Sequence, residues 1–568
     1  MNMTTRPIRS RNLCLLIALG ILAGGWGAAA WANLAVGRTV LWQDTPGSGL
    51  EGSASANDSL AKAIVVGDFN GDGFDDLATF DRESAAFANA GAVRVQYSGG
   101  SGVTAASDLI TDFFPPGGLS DAEPGDEFGA ALAAGDFDGD GFEDLAVGVP
   151  FEDAIVGGVS YTNCGSIVVL LGSAGGILSE GWKLYPAQAG NKNEAQFGRA
   201  LAAGDFNADG FDDLIVGSPG AEVSGQAQAG MLAVLNGGPV GFVSPYRLIH
   251  QDASDATGSV SDIAESGDHF GWSLAVGNWN GDTNGPLGPD VMDLAVGAPG
   301  EGDATAATSA SGVVHLFYGA VAGTPLAFNT DQTINETDTA TGQTLESGDS
   351  FGLALAAGDL TGDGRDDIAI AAPFEDVVSG SHNVIDAGMV VVVRGASPFV
   401  VASSGSVALT EDDLPVGEIP EVDDYFGIAL AVGDADGDGF DDLAVGAPFE
   451  DVVDPITFHS VADAGAVSVV PGGPVGFPAP NRPPRMLAEG FGGHPGLLMQ
   501  GDLYGSALAL GHFDGDIHPD FLVGAPGEDA DVEGETVADC GGLFVLPGSL
   551  FSDGFDFGNA GFWSDFHP

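Results

Sequence analysis

Basic residues are scarce in this chain: 15 Lys and Arg stand against 81 Asp and Glu among 568 residues, a formal charge of -66. Such a field repels nucleic acid and anionic lipid surfaces, which excludes direct binding to either unless divalent cations intervene. Cysteine is scarcer still. Three residues, Cys14, Cys164 and Cys540, cannot staple a disulfide scaffold or build a Cys-rich zinc site. Sustained helical periodicity is missing beyond the N-terminal leader, and after residue 32 no run is long and apolar enough to span a bilayer. The nine histidines form no cluster, and no His-Glu-x-x-His zinc motif occurs. What is abundant is glycine, at 91 residues, together with 44% hydrophobic residues. That is enough for a packed core and argues against wholesale disorder.

The first 32 residues read as an export signal. Arg6, Arg9 and Arg11 precede an apolar run from Leu13, and a small-residue stretch ends in Ala30-Trp31-Ala32, an A-x-A cleavage pattern. An uncleaved anchor is the rival reading, but the second half of the run is mostly Gly and Ala, weakly apolar for a span. Cleavage near Ala32 would give a secreted, extracellular or periplasmic product without a stable membrane span, expected to be a monomer.

The remainder is one unit written seven times. The clearest copy runs from Phe128 to Pro150 and contains the loop Asp136-Phe-Asp-Gly-Asp-Gly-Phe-Glu-Asp144. Aligned on the first loop residue, the copies begin at Asp68, Asp136, Asp205, Asn278, Asp359, Asp434 and His512, spaced 68 to 81 residues apart. They fill residues 33–550, leave 551–568 as a short tail, and give no room to a separate catalytic domain. Within each unit a small-residue run precedes the acidic loop, and a short apolar run ending at proline follows it. A β-branched run such as Ser166–Gly172 and a more polar run such as Pro245–Gln251 complete the unit. Four antiparallel strands repeated seven times predict an all-β, seven-bladed β-propeller; a β-solenoid is disfavoured because its repeats are much shorter. Arg38–Asp44 resembles the fourth-strand run Tyr246–Asp252, and the last unit lacks a fourth strand after Gly542–Pro547. The N-terminal segment is therefore expected to complete blade 7 and remove its exposed edge.

Phe-Gly pairs at 128, 197, 270, 351 and 426 precede Gly-Ala-Pro-like triplets at 148, 217, 297, 371 and 446. On these residues the chain resembles the FG-GAP repeat family, the unit of the integrin alpha-subunit propeller. The last copy reads Tyr504-Gly505 and Gly524-Ala-Pro526, and the first keeps only its acidic loop. The resemblance implies extracellular recognition of a protein or matrix ligand through one face.

The acidic loops point to calcium. In the first, side-chain oxygens fall at Asp68, Asn70, Asp72 and Asp76, loop positions 1, 3, 5 and 9, with the carbonyl of Phe74 at position 7. Calcium takes six to eight oxygens, and alternate residues of a tight loop converge on it where glycine permits the turn. The same set recurs as Asp136, Asp138, Asp140, Phe142 and Asp144, as Asp205, Asn207, Asp209, Phe211 and Asp213, and as Asp434, Asp436, Asp438, Phe440 and Asp442. Asp359, Thr361, Asp363, Arg365 and Asp367 form a fifth loop with one hydroxyl donor. Four to five calcium sites are expected. The fourth copy has Asn278, Asn280 and Asp282 and then an insertion before Asp293, which puts its site in doubt. The seventh, with His512 at position 1 and Ile517 in place of the turn glycine, is expected to hold none.

Two functions fit this reading. The first is a recognition or adhesion module for an extracellular protein or glycan. The second is a secreted polysaccharide lyase or hydrolase on a propeller scaffold; the many acid pairs permit a glycosidase-like arrangement, but the repeats already account for them. With no residue set at catalytic spacing, the chain reads as a non-enzyme. Alternation of connections places Phe151-Glu-Asp153, Phe374-Glu-Asp376 and Phe449-Glu-Asp451 on the face opposite the calcium loops, as binding or solvated loops. Cys164 and Cys540 lie in non-neighbouring units and are expected to be free thiols. The tail Asp553–Ser564 resembles a short Gly-Phe-rich ending on exported bacterial proteins.

Overall fold

Local sequence dictates short strands. Gly-Ala-Leu-Ala and Asp-Leu-Ala-Val-Gly runs are too short for helices, third-strand runs such as Ser166–Leu170 are β-branched, and glycine turns cut the runs. A computed structural model describes 39–41 and most of 61–548; outside it lie 1–38, 42–60, 549–568 and internal stretches, the longest at 82–88, 112–122, 187–192, 284–290, 303–309, 320–326, 340–345, 398–404 and 490–497. The leader, the tail and Cys540 therefore lie outside the described residues. Among the described residues helix is confined to two 3-10 turns, Glu336–Asp338 and Glu411–Asp413, and none is long and apolar enough to cross a membrane.

Seven four-stranded antiparallel sheets form a seven-bladed propeller. Blade 2 is representative: Ala131–Gly135, Asp144–Val149, Ser166–Leu170 and Gly181–Leu184, paired in chain order. The first strand of each blade packs against the first strands of both neighbours, blade 7 against blade 1 included. The expected closure is present. Thr39–Leu41 pairs antiparallel with Gly542–Leu546, with Val40 opposite Phe544. Blade 7 thus takes its outer strand from the start of the chain, and no blade is left with three strands.

The second and third strands are buried along their length save Asn236, so both faces of each sheet are covered by neighbouring blades. The Phe-Gly and Gly-Ala-Pro signatures meet at these seams. A Cβ on Gly148 would stand 2.0 Å from the Gly198 carbonyl of the next blade, a clash that only glycine avoids. Gly524 meets the Ala61 carbonyl in the same way, at 2.2 Å, where the ring closes. Phe128, Phe270, Phe351, Phe426 and Tyr504 are buried beside these contacts. Blades 2, 5, 6 and 7 add a small hairpin between their second and third strands, as in Ala154–Tyr161 and Val377–Val384.

Candidate metal centres

Each acidic loop joins the first strand to the second, at one end of the propeller. Its second residue plugs the core: Phe69, Phe137, Phe206, Leu360 and Ala435 are fully buried. The loop is pinned there, position 5 lies toward solvent, and position 3 turns toward the closing acid, with Asn207 and Thr361 buried. In blade 2 the Asp136 carboxylate accepts hydrogen bonds from the amides of Gly139 (2.8 Å), Asp140 (3.1 Å) and Gly141 (3.0 Å). Asp140 Oδ1 accepts from the Phe142 amide at 3.1 Å. The turn requires Gly141 at φ +91°, in the left-handed region. Asp144 opens the second strand, 1% exposed. It accepts from the Gly172 amide at 2.9 Å and the Phe137 amide at 3.2 Å.

Oxygens of Asp136, Asp138 and Asp144 lie within 4.8 Å of one another, as do those of Asp434, Asp436 and Asp442. Two ligands on one calcium at 2.3–2.6 Å stand at most about 5 Å apart, so the spread suits that ion. The set is all oxygen, which selects a hard cation. Burial, and then the neighbouring carboxylates, push Asp144 up to about 7 and Asp442 up to about 8. Burial likewise raises Asp76 and Asp213 to about 7 and Asp367 to about 6. Without a cation these loops hold acids that resist ionising together.

The loops differ in what faces the closing acid. Asn70 directs Nδ2 at both oxygens of Asp76, at 3.1 and 3.0 Å, and Asn207 does the same to Asp213. An amide flip would present oxygen instead. In blade 5 the Thr361 amide donates to Asp367 at 3.0 Å, and Arg365 bridges to Asp363 at 3.2 Å. In blade 6 the Arg482 guanidinium lies on Asp436 and Asp438, placing a side-chain cation at that loop. In blade 4, Asn278 Oδ1 caps the Gly281 and Asp282 amides, and burial raises Asp293 to about 8; the insertion at 284–290 lies outside the described residues. So does 515–517 of the seventh loop, including Asp516.

Sequence reasoning missed how five of the loops are held by the next blade. The acid at position 8 reaches back one blade and accepts from the amide of loop residue 1. Glu143 accepts from Asp68 at 3.1 Å, Asp212 from Asp136 at 3.0 Å, Asp366 from Asn278 at 2.7 Å and Asp441 from Asp359 at 2.8 Å. Asp75 accepts from His512 at 2.7 Å, across the ring closure. The aromatic at position 7 also covers the preceding loop: a Cβ on Gly139 would lie 2.4 Å from the Phe211 ring. The available signal was the recurring Phe-acid-acid triplet at positions 7 to 9.

The loops on the opposite face differ from the expectation. Their central acids are neither solvated nor presented for binding: Glu152, Glu375 and Glu450 are 1–3% exposed. They turn inward under the seam while the flanking aromatics stack, Phe374 on Tyr425 at 5.1 Å and Tyr425 on Phe449 at 5.2 Å. Gly348-Asp-Ser350-Phe-Gly352 matches Gly-x-Ser-x-Gly by its letters. It is the entry corner of blade 5, where Ser350 donates to the Gly348 carbonyl and no helix follows, so it lacks the strand-to-helix setting of a nucleophile. Cys164 is a buried free thiol.

Fold and loops define a closed propeller built from repeats with an acidic turn at one end of each blade. Five segments, 62–95, 128–170, 197–235, 351–393 and 426–470, match the FG-GAP repeat; the propeller carries five FG-GAP repeats. It is 34% identical over 180 residues to phosphatidylinositol-glycan-specific phospholipase D of Rattus norvegicus, covering 32% of this chain and 19% of that protein. It is 30% identical over 257 residues to integrin alpha-PS2 of Drosophila melanogaster, covering 44% and 15%. Integrin alpha-5 of Xenopus laevis matches at 29% over 265 residues, covering 46% and 20%. The chain thus spans about a fifth or less of the length of these relatives. Among solved structures, an exotype rhamnogalacturonan lyase aligns over 80% of both chains at 11% identity and a TM-score of 0.34, a likeness too loose to bear on activity.

Proposed function

We propose that this protein is a secreted, calcium-binding recognition module, with calcium in the loops of blades 1, 2, 3, 5 and 6 and a protein or glycan ligand on the opposite face. The observation that carries the calcium reading is the convergence of three carboxylates on one point in separate blades, at a spread that suits calcium. In blade 2, Asp136, Asp138, Asp140 and Asp144 would hold the ion with the Phe142 carbonyl. The ion would neutralise acids that the fold forces together, and so rigidify the rim.

Exposed apolar residues mark the ligand face. Ile155 and Val159 in blade 2, Val378 and Ile385 in blade 5 and Val453 in blade 6 are 51–78% exposed. All sit at or beside the small hairpins, and those of blades 5 and 6 follow the stacked Phe374 and Phe449 in the chain. Exposed apolar side chains gathered on one face and rimmed by acids suit a binding surface. An array of glycans and extracellular proteins, probed with and without EDTA, tests this reading, with a reducing-sugar release assay beside it. Specific binding abolished by Ile155→Asp with Val378→Asp supports it. Sugar release without stable binding would replace it with the enzyme reading.

A further inference from the structure

The inward-turned acids of the opposite face form a second repeating arrangement. Between blades 4 and 5, Glu336 follows the fourth strand of blade 4, Asp349 precedes the first strand of blade 5, and Glu375 follows the second strand of blade 5. Their carboxylate oxygens lie within 4.8 Å of one another, and the three residues are 0–3% exposed. Between blades 5 and 6, Glu411, Asp424 and Glu450 repeat the arrangement, all buried and at the same spacing. Each outer Glu is the first residue of a capped 3-10 turn, at Asn335 and Thr410 respectively, so the turn aims it back into the seam.

Three observations point to a cation there. First, Glu336 is fully buried, yet among the described residues neither of its carboxylate oxygens has a hydrogen-bond partner, and Glu375 Oε2 has none there either. A buried carboxylate left so is strongly unfavourable unless a positive charge or a proton meets it. The charged groups acting most on Glu375 are Glu336, Asp349, Glu346 and Asp376, all acids. Second, in blade 2 the equivalent Glu152 does meet a cation, the buried ammonium of Lys183 at 2.8 Å. Third, between blades 2 and 3 the three positions change together. They are Pro186, Ala195 and Ala221, all buried, and the two alanines belong to an apolar cluster. Between blades 3 and 4 the first position is Gln251, whose Nε2 donates to Glu301 at 2.6 Å, so there too a partner for the buried acid is supplied from within the junction.

We propose that the junctions of blades 4 with 5 and 5 with 6 each bind a hard divalent cation, calcium being the best match, in a buried three-carboxylate site on the face opposite the acidic loops. Three carboxylates without nitrogen or sulfur select a hard ion, and the spacing accommodates ligands at calcium distances. Each site takes two acids from one blade and one from its neighbour, so the ion ties adjacent blades together.

The test uses the full chain and calcium alone. Bound calcium is counted by elemental analysis after equilibrium dialysis, and melting is followed with calcium and with EDTA. Glu336→Gln with Glu375→Gln keeps the side-chain shapes and removes two charges. It should release one calcium per chain and lower the melting temperature in calcium, yet raise it in EDTA, where it relieves repulsion. Asp140→Ala, in an acidic loop, serves as an independent control, so failure of the loop sites does not obscure the result. An unchanged calcium count, or a melting temperature raised in both media, would show that the triad holds a proton instead and would overturn the proposal. If the double variant does not fold, Glu450→Gln at the neighbouring junction is read by the same count and the same inversion.

Discussion

The acidic loops should make stability depend on pH in opposite directions with and without calcium. In the metal-free protein Asp144 is held near 7, against an ordinary 3.8, chiefly by burial and next by Asp138 and Asp136. Between these two values the folded state keeps a proton that the unfolded chain has released, so stability falls as pH rises and the full loss is reached above about 7. One pKa unit corresponds to about 1.4 kcal/mol, which makes the loss on the order of 4 kcal/mol for this loop. Calcium at a hundredfold excess over its Kd restores about 2.7 kcal/mol per site. It competes with protons for the same oxygens, so its contribution grows with pH. For a propeller of this size about 1 kcal/mol shifts Tm by about 1 °C, and several loops acting together should separate the curves by roughly 10 °C. Calorimetry from pH 5 to 8 should show Tm falling in EDTA and level or rising in calcium. Asp144→Asn should flatten the EDTA curve by about 3 °C over that range. Parallel curves in the two media would refute the reasoning and leave the loops as ordinary acidic turns.

Deleting residues 35–44 removes the outer strand of blade 7 and opens the backbone edge of Gly542–Leu546, so the truncated protein should melt well below wild type and aggregate; unchanged melting sinks the closure argument. Gly139→Ala meets the Phe211 ring at 2.4 Å, whereas Gly141→Ala meets nothing within 4 Å and carries only the strain of its positive φ. Urea denaturation should therefore cost the first about 2–4 kcal/mol and the second about 1 kcal/mol. Asp212→Ala leaves the Asp136 amide without its carboxylate partner across the blade seam. It should cost about 1–3 kcal/mol and weaken calcium binding in blade 2, read by titration, although Asp212 is not one of the proposed ligands.

Much of this molecule was legible in its sequence because a repeat states its own alignment. The seven acidic loops set the blade count, the alternating short runs set the strands, and Arg38–Asp44 betrayed the borrowed strand by its likeness to Tyr246–Asp252. Those features are local, since each is written within one unit of about 70 residues. Tertiary structure decided what happens between units. Glu143 holds the loop of Asp68, 75 residues away. Phe211 covers Gly139 of the preceding loop, and Glu375 turns from an apparently solvated loop into a buried triad with Glu336 and Asp349. No spacing within one repeat records these contacts, because they arise only when neighbouring blades pack side by side. The sequence by itself determined the blades and their acidic turns. The closed ring alone decided which acids face water, which cap a neighbour and which are buried together, because burial at a seam is a property of two blades.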